Sequence, residues 1–251
     1  MKQSVKLSGK KCLIIGASSG IGAKIAGLFA EEGAGLILAS RNIDALSRLG
    51  ARLVKHSSVD VYRCDATVEA DVLELFSFIK KNHGGLDVLV NCQGMARYEK
   101  FEEHTLKTWN ETLNVNLTSM FLTMREAFRL MMKKKRGRII NLSSMTGIEG
   151  TYYKAAYVAS KFGVEGLSKA VAMEGELHNI KVTTICPGGV DTPFWDKNPS
   201  FRPPRELSLK PRDIAELVLY VASLDDRVMI NQIVIKPNYC LKKIRGGGQN
   251  G

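Results

Sequence analysis

Lys11-Cys-Leu-Ile-Ile-Gly-Ala-Ser-Ser-Gly-Ile-Gly22 is the stretch on which the fold turns. Five residues, all but the first apolar, read as a buried strand, and the glycines that follow read as a tight turn opening a helix. Glycine at 16, 20 and 22 lets the backbone approach a ligand closely, and the first N–H groups of the helix then face an anion such as a pyrophosphate. The spacing is Gly-x-x-x-Gly-x-Gly rather than Gly-x-Gly-x-x-Gly, but the physics is shared.

Outward from this unit the pattern repeats. Short apolar runs at 11–15, 36–40, 59–63, 86–91, 138–142, 182–186 and 232–235 alternate with helical patterns at 20–32, 43–55, 68–82, 105–135, 155–177 and 211–223. The runs are continuously apolar, as in strands covered on both faces, and strand–helix alternation predicts an α/β fold with a doubly wound parallel sheet of about seven strands. No linker or repeat divides the chain, so one unit over 1–241 is expected, with 242–251 a disordered tail. Residues 192–210 hold four of the seven prolines, Pro193, Pro199, Pro203 and Pro204. They read as a mobile loop placed as a lid over the carboxyl ends of the strands.

Bulk composition narrows the function. The chain has 251 residues, 45% hydrophobic and 24% charged, enough for a sizeable core. The first ten residues lack the apolar stretch of a signal peptide, and no apolar run is long enough to span a bilayer, so a cytoplasmic location and no membrane partner are expected. Five scattered cysteines (12, 64, 92, 186 and 240) and four isolated histidines give no disulfide or metal-ligand spacing, and no metal is expected. The cysteines read as small buried hydrophobes. The net charge is +11, with a pI of about 9.4. Its clusters at 133–136 and at Lys242, Lys243 and Arg245 read as solvated charge, the first suiting a helix C-terminus. No nucleic-acid partner is expected.

Two further patterns carry chemistry. At the end of the second strand stands Ser40-Arg41-Asn42, where a cofactor with a free ribose 2′-hydroxyl would want an acid; arginine there predicts a 2′-phosphate and hence NADP(H). Tyr157 and Lys161, in Tyr-Val-Ala-Ser-Lys, share one helix face, with Ser144 upstream. A phenol of pKa near 10 needs tuning to move protons at neutral pH, and a neighbouring ammonium is a plausible means.

The ordered set Gly16-x-x-x-Gly20-Ile-Gly22, Cys64-Asp65, Asn91-Cys-Gln-Gly94, Asn114-Val-Asn116, Ser143-Ser144, Tyr157-x-x-x-Lys161 and Pro187-Gly188 resembles the short-chain dehydrogenase/reductase family over about residues 5–235. The resemblance implies a Rossmann-type fold and a catalytic set of Asn116, Ser144, Tyr157 and Lys161. Tyr157 would be the general acid/base, Ser144 would steady the substrate oxygen, and Lys161 would lower the Tyr157 pKa and hold the nicotinamide ribose. Asn116 would keep a helix distortion carrying a water relay to Lys161. Beyond Tyr157 and Lys161, the cofactor surface it implies is Gly16, Ser18, Ser19, Gly20, Ile21, Gly22, Ser40, Arg41, Asn42, Asp65, Ala66, Asn91, Gly94, Pro187, Gly188, Val190 and Thr192. Within that set Asp65 would meet the adenine, Asn91 the region beneath the adenosine ribose, and Thr192 the carboxamide. Three positions depart from the family pattern: Ile15 for a threonine, Cys92-Gln93 inside the Asn-Asn-Ala-Gly pattern, and Ile233-Val-Ile-Lys-Pro237 for a late Gly-Gly.

The expected activity is NADP(H)-dependent interconversion of a ketone or aldehyde and an alcohol. Reduction of 3-oxoacyl thioesters is slightly favoured over sugar, polyol or other secondary-alcohol dehydrogenation. A dinucleotide-sensing regulatory protein is the non-enzyme alternative. The expected substrate pocket comprises Met145, Glu149, Tyr153, Gly189 and the 192–210 loop with Phe194, Trp195 and Phe201, and the sequence leaves Trp195 open between pocket wall and packing anchor. The partners expected are a small carbonyl or alcohol substrate and further copies of the chain, as a homodimer or homotetramer paired through the two long helices.

Overall fold

The computed structural model describes residues 6–238; Cys240, the cluster at Lys242, Lys243 and Arg245 and the expected tail lie outside them. The strands are β1 (Lys11–Ile15), β2 (Gly35–Ser40), β3 (Val59–Arg63), β4 (Val88–Asn91), β5 (Gly137–Leu142), β6 (Ile180–Pro187) and β7 (Gln232–Ile235). All pair in parallel, in the order β3-β2-β1-β4-β5-β6-β7. The helices are α1 (Gly20–Glu31), α2 (Ile43–Leu53), α3 (Glu69–His83), α4 (Leu106–Leu113), α5 (Ser119–Lys134), α6 (Ala155–Glu176) and α7 (Pro211–Ser223). None is long and apolar enough to cross a membrane.

Side chains alternate across each strand, so the apolar runs divide into two cores. Cys12, Ile14, Leu36, Leu38, Val90 and Ile140 pack against Ile25 and Phe29 of α1, Leu46 of α2 and Val218 of α7. Leu13, Ile15, Ile37, Leu89, Ile139 and Val182 pack on the other face against Leu75 and Ile79 of α3, Met124 and Met131 of α5 and Val164 of α6. The chain winds outward from β1 to β3, then returns to β4 beside β1 and winds the other way. Loops leaving β1 and β4 therefore diverge, and a crevice opens at the carboxyl ends of these two strands.

Two expectations are corrected. The helical pattern at 105–135 is broken, because Asn114–Thr118 forms a π-turn between α4 and α5. Nor is 192–210 an irregular loop. It folds into three 3-10 turns at Pro193–Lys197, Pro199–Phe201 and Arg205–Leu207, closed at its base by a bridge between Val190 and Leu209. Proline at the start of the first two turns supplies the φ these turns need without losing a required N–H.

The amino ends of the strands are tied by Asp87, which accepts from Lys11 N at 2.9 Å and pairs with Lys134 at 3.1 Å and Arg136 at 3.5 Å. Two cations of the 133–136 cluster thus serve the fold. Burial alone would raise the Asp87 pKa, but the Lys11 amide and the two cations hold it below the ordinary carboxylate value. Its contribution to stability is therefore present above the unfolded-state pKa and lost as pH falls through the folded one. Asp87→Ala leaves the Lys11 amide and two cations without their acceptor. Denaturant unfolding at pH 7 is expected to show a loss of about 3 kcal/mol, with the gap to wild type narrowing in acid.

Candidate active site

The turn after β1 is built for close approach. Gly16 has φ +79°, and a Cβ there would lie 2.9 Å from Gln93 N. Gly20 has φ +54° and faces Thr192 across 3.6 Å from its would-be Cβ. Ser19 caps α1 with extended backbone and no side-chain hydrogen bond to the first turn, which carries no acidic residue. The N–H groups of that turn thus point into the crevice with no side-chain acceptor from the cap, as an anionic pyrophosphate requires. Gln93 Oε1, in the facing wall, is a buried acceptor without a partner.

The crevice widens into a cavity of about 960 Å³. Gly16, Ser19, Gly20, Ile21 and Gly22 form one end, with Gly94, Pro187, Gly188, Val190 and Thr192 beside them, and Ser144, Tyr157 and Lys161 stand in the same wall. Ser40, Arg41, Asn42, Asp65 and Ala66 stand apart, at or just after the carboxyl ends of β2 and β3. Arg41 is exposed. Asn42 Oδ1 caps α2 by accepting from Ala45 N at 3.0 Å, and Asp65 Oδ1 accepts from Thr67 N and Oγ1. Ser18 is not in the cavity wall.

Asn91 stands at the end of β4. Its side chain is fully buried, donating to Asn141 Oδ1 at 2.9 Å and accepting from Thr123 Oγ1 at 2.9 Å. It braces the floor beneath the crevice and presents no amide to it.

Tyr157 lies in the first turn of α6 and Lys161 one turn on, as their spacing demands. Lys161 is buried and donates to Leu142 O at 2.8 Å, with its Nζ 5.7 Å from the Tyr157 ring centroid. Ser144 caps a 3-10 turn at the end of β5, its Oγ accepting from Thr146 N at 3.1 Å. The π-turn places Asn116 between two segments: it accepts from Met95 N at 2.8 Å and donates to Met95 O and to Ser160 Oγ at 2.9 Å. Ser160 in turn donates to Tyr157 O. Asn116 therefore ties the loop after β4 to the turn of α6 that carries Tyr157. A Cβ on Gly94 would lie 3.6 Å from Asn116 Oδ1 and 3.7 Å from Lys161 Nζ, so the glycine leaves open space between them.

In this arrangement burial and Ser144 set the pKa of the Tyr157 phenol. Burial pushes the phenol up to about 12, opposed by a hydrogen bond with Ser144. Burial also pulls Lys161 down to about 8, against the opposing influence of Cys186, Glu165 and Cys92. Burial shifts the buried Lys161 and the partly buried Tyr157 each towards its neutral form. The thiols follow the same physics, since burial pushes Cys64 and Cys92 up to about 12. Cys12, Cys64 and Cys186 are buried, as their reading as small buried hydrophobes expects, whereas Cys92 is only partly buried and lines the cavity.

The substrate half of the cavity contains the expected Met145, Glu149, Gly189, Phe194 and Trp195. Trp195 fills both roles left open: its ring lines the wall while Nε1 donates to Val190 O at 2.9 Å. Tyr153 and Phe201 stand outside that wall, 49% and 43% exposed. Two residues were not foreseen. Tyr98, on the loop after β4, stacks on Phe201 at 4.2 Å, and Lys154 immediately precedes α6. Tyr98 carries no signal in the sequence, but Lys154 stands one turn before Tyr157 and so had a place in the motif.

The sequence pattern of the family described as short chain dehydrogenase matches residues 10–202. An uncharacterized oxidoreductase of Staphylococcus aureus is 34% identical over 231 residues, covering 92% of this chain and 98% of its own. A 3-oxoacyl-acyl-carrier-protein reductase of Thermotoga maritima is 33% identical over 240 residues, covering 92% and 97%. Among solved structures, a short-chain type dehydrogenase/reductase from Mycobacterium marinum superposes with a TM-score of 0.85 at 29% identity, covering 93% of this chain and 96% of that one. Actinorhodin polyketide ketoreductase with NADPH gives 0.84 at 26%, covering 91% and 96%. With the parallel sheet, its crevice and the Tyr157–Lys161 pair already in place, these matches settle the family: the chain belongs to the short-chain dehydrogenases and is an oxidoreductase.

Proposed function

We propose that the protein is an NADP(H)-dependent oxidoreductase that interconverts a carbonyl compound and an alcohol. The observation carrying this reading is that Ser144, Tyr157 and Lys161 share one cavity wall with the glycine turn. When bound, the dinucleotide supplies or accepts the hydride. The α1 N–H groups and Gly16, Gly20 and Gly22 hold its pyrophosphate, Arg41 and Ser40 its 2′-phosphate, Asp65 and Ala66 the adenine end, and Gly188, Val190 and Thr192 the nicotinamide end. Ser144 donates a hydrogen bond to the carbonyl oxygen as negative charge gathers there. Tyr157 gives that oxygen its proton. Lys161 holds the ribose hydroxyls, and the space beside Gly94 admits a water joining it to Asn116.

A phenol raised to about 12 is protonated at neutral pH, the form that reduction uses and oxidation does not. The NADPH-bound ketoreductase and the NADP-bound short-chain oxidoreductase among similar structures favour the phosphorylated cofactor. The Thermotoga relative places 3-oxoacyl thioesters in the substrate panel. The turns at 193–207 close the cavity as a lid, held by Asn198 Nδ2 donating to Ala96 O at 3.1 Å. A second copy of the chain covers the outward faces of α5 and α6, where Phe121, Phe162, Met173 and Leu177 are exposed.

Stopped-flow reduction of a carbonyl panel tests the chemistry. Tyr157→Phe is expected to bind NADPH as wild type does and to lose at least about a thousandfold in kcat; retained turnover would sink the assignment. Wild-type reduction should hold from neutral pH to about 8 and decline above it, as Lys161 loses its charge before Tyr157 loses its proton. Arg41→Ala should weaken NADPH binding by roughly 10- to 100-fold and leave NADH binding unchanged, as read by calorimetry. Light scattering is expected to give a dimer or tetramer, and Met173→Glu, which sets a charge on the apolar face, should shift it towards monomer. A monomeric wild type would remove the pairing.

A further inference from the structure

Lys154 is a charged residue of the cavity that neither the proton chemistry nor the cofactor surface uses. It precedes the first turn of α6, is only partly exposed and lines the cavity beside Tyr157. Its Nζ lies 4.5 Å from the Tyr98 ring centroid and 5.8 Å from that of Trp195. Among the described residues no carboxylate lies within ion-pair distance of it. Glu149, the acid in the same wall, is exposed and leaves the ammonium unpaired.

An ammonium taken partly out of water with aromatic faces but no anion beside it is an unusual way to line an apolar pocket. Cation–π contact returns roughly 0.5–2 kcal/mol, less than a charge-assisted hydrogen bond to a carboxylate. Burial accordingly lowers the Lys154 pKa, with no opposing anion. Its surroundings define the missing partner. One cation among aromatic walls matches a single negative charge on an apolar body, whereas a phosphate dianion calls for a fork of cations or a helix end. The other cations in the wall are Lys161, which serves the cofactor ribose in this reading, and Lys236, beside Gly188 at the cofactor end.

We propose that Lys154 is a specificity-determining residue that pairs with a carboxylate of the substrate, so that the protein acts on oxo acids or the matching hydroxy acids. The inference rests on the oxidoreductase reading, and the substrate docks with its carboxylate on Lys154, its body against Tyr98 and Trp195, and its carbonyl at Tyr157 and Ser144.

The test compares matched pairs, an aromatic oxo acid against its methyl ester, in NADPH-dependent reduction. Wild type is expected to favour the acid by at least about tenfold in kcat/KM, chiefly through KM. Lys154→Met should erase that ratio and Lys154→Arg should keep most of it. A lysine that only braces Tyr98 and Trp195 would, when replaced, lower acid and ester together, and an unchanged ratio in Lys154→Met overturns the proposal. Calorimetry of benzoate and benzamide on the NADPH-loaded protein gives a reading independent of turnover. Preference for benzoate that vanishes in Lys154→Met supports the carboxylate site even if no carbonyl in the panel reacts, which would count against the oxidoreductase reading instead. Equal affinity for the two probes in wild type overturns the carboxylate site and leaves the reaction class standing.

Discussion

The hydrogen bond between Asn91 and Asn141 holds the floor on which the site is built. It joins the carboxyl ends of β4 and β5 by side chains where the backbone ladder is about to end. From it, Thr123 of α5 is held through Asn91 and Ser168 of α6 through Asn141, while Gln93 reaches Ser119 at 3.1 Å. Every member is buried or nearly so, and such a network is stable only when its donors and acceptors are matched. Its effect is positional. The π-turn with Asn116 ends at the first residue of α5, and Tyr157 and Lys161 ride on α6, so both helices reach the crevice with their approach fixed by the same pair of amides.

That rigidity explains how the chain tolerates a cationic amine and a phenol in a dry wall. Lys161 spans from α6 to Leu142 O at the end of β5, and its burial carries a desolvation penalty that this one hydrogen bond only partly offsets. Behind it stands Glu165, itself buried and accepting from Thr184 Oγ1 at 2.8 Å and Gln232 Nε2 at 2.7 Å. This carboxylate, one turn beyond Lys161 on the same helix face, favours the charged lysine while its bonds to β6 and β7 hold it in place. Tyr157 has only the Ser144 hydrogen bond to oppose the upward push of burial.

Much of this was legible in the residues because it rests on local rules. Strands buried on both faces leave unbroken apolar runs, a turn with positive φ leaves glycine at Gly16 and Gly20, and two groups sharing a helix face leave an i,i+4 pair. What was hidden depends on contacts between distant segments. The π-turn at 114–118 inserts a residue into a stretch whose helical period continues on both sides, and Asn-Val-Asn holds no proline or glycine to mark it. The distortion at Asn116 therefore came from the family resemblance and not from the helical pattern. The role of Asn91 depends on Asn141, fifty residues on, and the raised Tyr157 pKa on how completely the walls exclude water. Residues 192–210 read as irregular because their prolines break helices, whereas the same prolines start 3-10 turns.

The division between chemistry and specificity follows from the same geometry. The groups proposed for the chemistry stand on strand ends and a long helix, elements whose placement the two cores determine. The substrate wall is assembled from Tyr98 on one loop, Lys154 on another and Trp195 on the 3-10 turns, each positioned by the others: Lys154 over Tyr98, Tyr98 on Phe201, Trp195 bonded to Val190 O. Next to Lys154, Tyr153 adopts φ +61°, a conformation that a bulky residue takes only when its surroundings impose it. Here the constraint is visible, since Glu99 N donates to Tyr153 O at 3.0 Å and pins the turn to the loop that carries Tyr98. Strain at Tyr153 thus fixes the backbone from which Lys154 projects, and a charge of this kind selects a partner only if its position is held. In this chain the loop region is held rigid around one ammonium.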